Sequence, residues 1–184
     1  INGATKDVKK RLREKMGVLF QSGALLNYMS VAENVALPLE ERRLLPRKEI
    51  ERLVDEKLAL LQFSDAKHKA IPDISGGMKK RVALARVLMT NPEIILWDEP
   101  TTGLDPVMSS VINELIRRMQ REFDVTSLVV THDMKSALYV GDRIGMLFAG
   151  RLIEVNTPQG IRNSANPVVR QFIDGRLEGP IKMS

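Results

Sequence analysis

Residues 93–106 read EIILWDEPTTGLDP. Four bulky apolar residues, Ile94 to Trp97, run straight into two adjacent carboxylates, Asp98 and Glu99, and then a proline and a turn. Such a run suits a strand buried on both faces, and strands of that kind occur mainly in parallel sheets covered by helices. Ligands of open α/β sheets collect where the strands end. Two like charges set side by side at that end, where hydration is reduced, favour the approach of a cation. The pair therefore points to Mg²⁺ and a reacting water.

Working outward, Asp105 and Pro106 form a cap and first turn for a helix with an apolar stripe of Val107, Val111, Ile112, Leu115, Ile116 and Met119. TSLVVTH then reads as a second buried strand, and MKSALYV as a short helix. IGMLFAGRLIEV reads as a hairpin turning at Ala149 and Gly150, and two short helices are expected from Thr157 to about Asp174. On the other side, Ser75 and two glycines lead a long helix, MKKRVALARVLM, which ends at Asn91 and Pro92. Earlier still, TKDVKKRLREKM reads as a basic surface helix and GVLF as a short strand ending at Gln21. Ser30 to Glu33 has capping-box spacing, which predicts a helix from there to Pro38. Pro46 opens another, with Ile50, Leu53, Val54, Lys57, Leu58 and Leu61 at helical spacing. Alternating strands and helices predict an α/β fold with a mostly parallel sheet.

At 184 residues the chain is long enough to bury a core, and its 43% hydrophobic and 28% charged content is that of an ordinary soluble protein. The net charge of +5 is mild enough to be a solvated surface, so no nucleic-acid partner is expected. Without cysteine there is no disulfide framework and no thiolate metal site, and His68 and His132 alone make no metal cluster. No apolar run approaches the roughly 18 residues of a membrane span. The first residue is Ile1, not Met, which suggests a chain that begins inside a longer protein.

Ser75, Gly76 and Gly77 would bring main-chain N–H groups and a hydroxyl to a helix start, where unsatisfied donors and a partial positive charge attract phosphate. Helix capping alone accounts for SGG equally well. Asp98 suits Mg²⁺, which keeps much of its water and is held by one or two carboxylates plus phosphates. Glu99 is a candidate to polarise the attacking water, against the simpler reading of a carboxylate that caps the turn at Pro100.

Four stretches occur in order: Gln21 after an apolar strand, ISGGMKKR at 74–81, ILWDEPTTGLDP at 95–106 and VVTHD at 129–133. Together they resemble the nucleotide-binding domain of ABC-type ATPases, with its Q-loop, signature motif, Walker B and D-loop, and switch histidine. The resemblance covers nearly the whole chain. It implies a P-loop NTPase-like core with a helical subdomain at about 21–92, residues 1–20 and 93–184 forming the rest of the core and the C-terminal tail. It also implies ATP and Mg²⁺ as cofactors. Glu99, His132 and Gln21 take catalytic roles, Asp98 and Gln21 lie at the metal, and Ser75, Gly76, Gly77 and Asp105 contact nucleotide or the dimer partner. His132 would bond the γ-phosphate, and the signature motif would meet a triphosphate held by the opposite subunit, so a homodimer is implied. Lys79, Lys80 and Arg81 receive no catalytic role.

The family's phosphate loop, GxxxxGK[ST], does not occur in these residues, of which only 20 precede Gln21. The expectation is a C-terminal portion of an ABC ATPase, lacking the Walker A strand, loop and helix and the N-terminal β-subdomain. Alone it should be poorly active, and it should expose apolar surface and unpaired backbone.

GVLFQSGALLNYMSVAENVALPLEE narrows the resemblance to ATPase subunits of Mla-type lipid-trafficking transporters. That group implies phospholipid cargo, a membrane-embedded permease, an associated lipid-binding protein and a place on the cytoplasmic face of the inner membrane. Ile74 and Met78 depart from the commoner LSGGQ, which removes any hydrogen bond made by the glutamine. ALLNYMSV suits either a permease-facing surface or ordinary core. The alternatives are a soluble ABC ATPase acting on ribosomes or DNA, or an inactive fragment. No long coiled coil speaks for a DNA-acting type, and no second such domain on a charged linker for a ribosome-associated one.

Overall fold

The computed structural model describes residues 3–43 and 45–182, which form two compact units divided after Val130. The first unit is built on three parallel strands: β1 (Met16–Leu19), β2 (Ile94–Asp98) and β3 (Thr126–Val130), in the order β1-β2-β3. Around them run α1 (Lys6–Lys15), α2 (Val31–Arg42), α3 (Arg47–Leu60), α4 (Gly76–Leu88) and α5 (Pro106–Phe123).

The register sets Gly17 beside Ile95 and Leu19 beside Trp97, so these residues share one sheet face. All four are buried, with Trp97 1% exposed and its indole N–H donating to Ser127 Oγ across the β2–β3 pair at 3.1 Å. Gly17 allows the close approach of α4: a Cβ there would stand 2.3 Å from Val87 Cγ1. The core of the unit lies on this side, with Val82, Ala83, Leu84 and Ala85 of α4 buried against Val31 and Val35 of α2 and Val54 and Leu58 of α3.

The opposite face departs from the sequence expectation. Ile94 and Leu96 are only half-buried, and Leu128 and Val130 of β3 are 59% and 58% exposed. TSLVVTH is thus not a strand buried on both faces; it is an edge strand with one open face, and it stops at Val130 before His132. The apolar run in the sequence reports a face suited to burial, not a face that these residues bury themselves.

Two helices also differ. The chain does not stop at Pro38 but continues to Arg42, where Arg43 adopts a left-handed cap (φ 51°). Pro38 removes one main-chain donor, yet Leu39 one residue further is buried, and that anchorage carries the helix past the missing bond. In α5 the buried stripe is Ile112, Ile116 and Met119, whereas Val107 in the first turn is 72% exposed.

In the second unit, α6 (Met134–Val140) precedes the antiparallel pair β4 (Ile144–Phe148) and β5 (Arg151–Asn156), followed by α7 (Pro158–Arg162) and α8 (Pro167–Asp174). Ala149 and Gly150 turn the hairpin with φ of 49° and 75°, the paired positive values that match strand twist. Among the described residues no helix is long and apolar enough to cross a membrane.

Candidate functional site

The parallel pairing of β1 and β2 brings their C-terminal ends side by side, so Gln21 follows one strand end while Asp98 and Glu99 close the next. Gln21 and Asp98 are exposed, and Glu99 is half-buried. Glu99 sits in the left-handed region with φ of 46°, a conformation that costs a side-chain-bearing residue about 1 kcal/mol or more. Several bonds hold it there. Its N–H donates to Val130 O at 2.9 Å, its carbonyl accepts from Thr102 N at 3.3 Å, and its carboxylate accepts from Thr102 Oγ1 at 2.9 Å. The second threonine of the motif is therefore a support for the second carboxylate.

The glycine-led helix begins close by the D-loop segment. Ser75 caps α4 with its hydroxyl accepting from Met78 N at 3.4 Å, and Ser75 and Gly76 remain exposed. A Cβ on Gly77 would lie 2.3 Å from Met108 Cε, and one on Gly76 3.8 Å from Leu104 Cδ2. The two residues thus pack against the segment that carries Asp105. Asp105 Oδ1 caps α5, accepting from Val107 N at 2.9 Å and Met108 N at 3.0 Å.

The segment after Gln21 is pinned from two helices. Asn34 of α2, fully buried, accepts from Leu26 N at 2.8 Å and donates to the carbonyls of Leu26, Met29 and Ser30. Arg86 of α4 donates to Gly23 O at 2.6 Å and Ala24 O at 2.8 Å. Along ALLNYMSV the two sequence readings divide by residue: Val31 is core, while Tyr28 stands 82% exposed. Lys80, given no role by sequence, is 6% exposed and donates to Gln21 O. Burial pushes its ammonium below the usual lysine range, while the carboxylates of Asp98 and Glu99 act to hold it up.

His132 belongs to the second unit, where it is exposed and directly precedes Asp133, the cap of α6. Burial pushes the Asp133 carboxyl up, but Ser136 Oγ, the N–H groups of Lys135 and Ser136 and the neighbouring His132 more than offset this, leaving it below its ordinary value.

Among the described residues no group of three or more His, Asp or Glu is placed to hold a metal by itself. One exposed carboxylate with a second beside it fits a Mg²⁺ ion that arrives with a phosphate ligand.

A three-stranded parallel sheet with helices around it, its second strand ending in two carboxylates, defines an α/β protein. The chain belongs to the ABC transporter family, whose model matches residues 1–102. It is 44% identical over 173 residues to the "Probable ribonucleotide transport ATP-binding protein mkl" of Mycobacterium tuberculosis, covering 94% of this chain and 48% of that protein. It is 37% identical over 171 residues to the "Intermembrane phospholipid transport system ATP-binding protein MlaF" of Haemophilus influenzae, covering 93% and 65% respectively. The chain thus spans about half to two-thirds of the length of these relatives. Among solved structures it resembles the ATP-binding cassette MJ0796, described as a dimer in a post-hydrolysis state bound to ADP and Pi. The TM-score is 0.71 at 34% identity, over 85% of this chain and 69% of that one.

Residues that sequence reasoning passed over are Asn34, Lys80, Arg86 and Thr102. Thr102 had a signal, a hydroxyl three residues after Glu99 in a turn. The other three act on main-chain atoms of a loop and carry no local pattern.

Proposed function

We propose that the complete protein is the ATP-hydrolysing subunit of an ABC transporter, and that its cargo is phospholipid. The observation that carries the reading is the carboxylate pair ending β2, with Asp98 exposed and Glu99 held by Thr102 in a strained turn. Asp98 and Gln21 would hold Mg²⁺ together with the β- and γ-phosphates of ATP; the ion supplies charge neutralisation at the transferring phosphoryl group. Glu99 orients the attacking water and draws off its proton, and His132 contacts the γ-phosphate. Ser75, Gly76 and Gly77 present a helix start to a nucleotide on a second copy of the chain, with Asp105 at the same junction. The dimeric MJ0796 neighbour supports this homodimer.

The Q-loop segment and exposed Tyr28 form the face for a membrane-embedded permease, which places the subunit on the cytoplasmic face of the inner membrane. MlaF's phospholipid name and the Mla-like Q-loop residues support the lipid cargo, with a lipid-binding protein as a further partner. The mkl name favours a second reading, ribonucleotide transport.

The test is phosphate release by the complete gene product, reconstituted in proteoliposomes with its permease. Glu99→Gln should lower turnover by about 10² to 10⁴. Labelled phospholipid should change membranes with ATP while a labelled ribonucleotide should not cross; the reverse would replace the lipid assignment. Unchanged turnover in Glu99→Gln would remove the catalytic assignment.

A further inference from the structure

Lys80 lies in α4, five residues after Ser75, and is buried almost entirely by the loop after β1 and the turn after β2. A lysine ammonium has three donors and no acceptor, so its burial requires acceptors around it. Two are main-chain carbonyls from separate parts of the site: Gln21 O, and Glu99 O at 3.5 Å. Asp98 and Glu99 add an attractive field from their carboxylates. Glu99 O is the carbonyl of the residue in left-handed conformation, and it also accepts from Thr102 N. The ammonium therefore helps to hold the strained turn that aims the Glu99 carboxylate, and it ties that turn to the first residue of the Q-loop.

Arg86, on the same helix, is a built-in contrast. It too holds the loop by carbonyls, but both, Gly23 O and Ala24 O, belong to the loop after β1 and neither to the Glu99 turn.

We propose that Lys80 is a positioning residue for ATP hydrolysis: from the signature helix it fixes the Glu99 turn and the Gln21 main chain relative to each other. The inference rests on the proposed ATPase reading. Because Lys80 acts on main-chain geometry and not on nucleotide, its loss should lower kcat and leave KM for ATP nearly unchanged. A cation of longer reach should restore part of the effect.

The experiment uses the complete gene product with Lys80→Met, Lys80→Gln, Lys80→Arg and, as a core truncation in α3 away from the site, Val54→Ala, each measured for kcat, KM and thermal midpoint. Lys80→Met and Lys80→Gln are expected to lose about 10- to 100-fold in kcat, the scale of a misplacement near 1 Å, with KM within about threefold. Lys80→Arg should recover to within about threefold of the parent, and Val54→Ala should lower the thermal midpoint while keeping kcat within a similar range. Parental kcat in either folded neutral variant would overturn the proposal. So would an equal kcat loss in Val54→Ala at the same thermal midpoint, which would make Lys80 a stability residue alone. A parent protein that hydrolyses no ATP would overturn the ATPase reading and this inference with it, whereas an active parent silenced by Glu99→Gln with unaffected Lys80 variants sinks only the inference.

Discussion

Asn34 shows how one residue can organise a functional loop. Its amide makes four hydrogen bonds to the main chain of residues 26–30 from a fully buried position. Asn34→Ala takes the side-chain partner from the Leu26 N–H and the Met29 carbonyl, while the carbonyls of Leu26 and Ser30 keep their main-chain donors, and should cost about 1–3 kcal/mol in urea denaturation of the complete protein. Glu99 is the opposite case, a residue held in a costly conformation by its neighbours. Such strain is kept where a side chain must be aimed. Replacement by Gln preserves the shape and the Thr102 contact but removes the proton acceptor, so the expected fall of about 10² to 10⁴ in turnover should come without loss of stability. Phosphate release and thermal denaturation measured on the same sample check both halves of that statement.

At the scale of elements, close packing of α4 on β1 depends on the missing side chain of Gly17. Gly17→Ala drives a methyl into Val87, whose short branched side chain has little room to yield, and should destabilise by about 1–3 kcal/mol, read as a lower denaturation midpoint. The start of α6 makes a pH prediction. Asp133 has its folded pKa depressed, so its capping contribution is complete above the ordinary carboxyl range of about 3.9 and is lost as pH falls through the folded value. Amide resonances of Lys135 and Ser136 should show a transition below about pH 4, and Asp133→Asn should remove that transition. The capping roles of Ser30, Asp105 and Pro106 were legible in the sequence because caps are local, spanning three or four residues. The extension of α2 past Pro38 was not, since it depends on Leu39 finding a buried place.

Over the whole molecule, the sheet carries an apolar face that the described residues leave partly open, most of all at Leu128 and Val130 of the edge strand β3. An exposed edge next to an apolar face is a template for association. The 184-residue chain alone should therefore self-associate at micromolar concentration, seen by light scattering, and the pair Leu128→Lys with Val130→Lys should return it toward monomer. A wild-type chain that stays monomeric would contradict this.

The sequence by itself determined the α/β class, the order of elements, the hairpin at Ala149 and Gly150, and the candidate carboxylates, because periodicity, caps and turns act over a few residues. Only the tertiary structure decided that Lys80 is buried between Gln21 and Glu99, 59 and 19 residues away, and that one sheet face stays open. Burial is a property of what packs around a residue, and the groups that bury Lys80, or fail to bury Leu128, are assembled from distant parts of the chain.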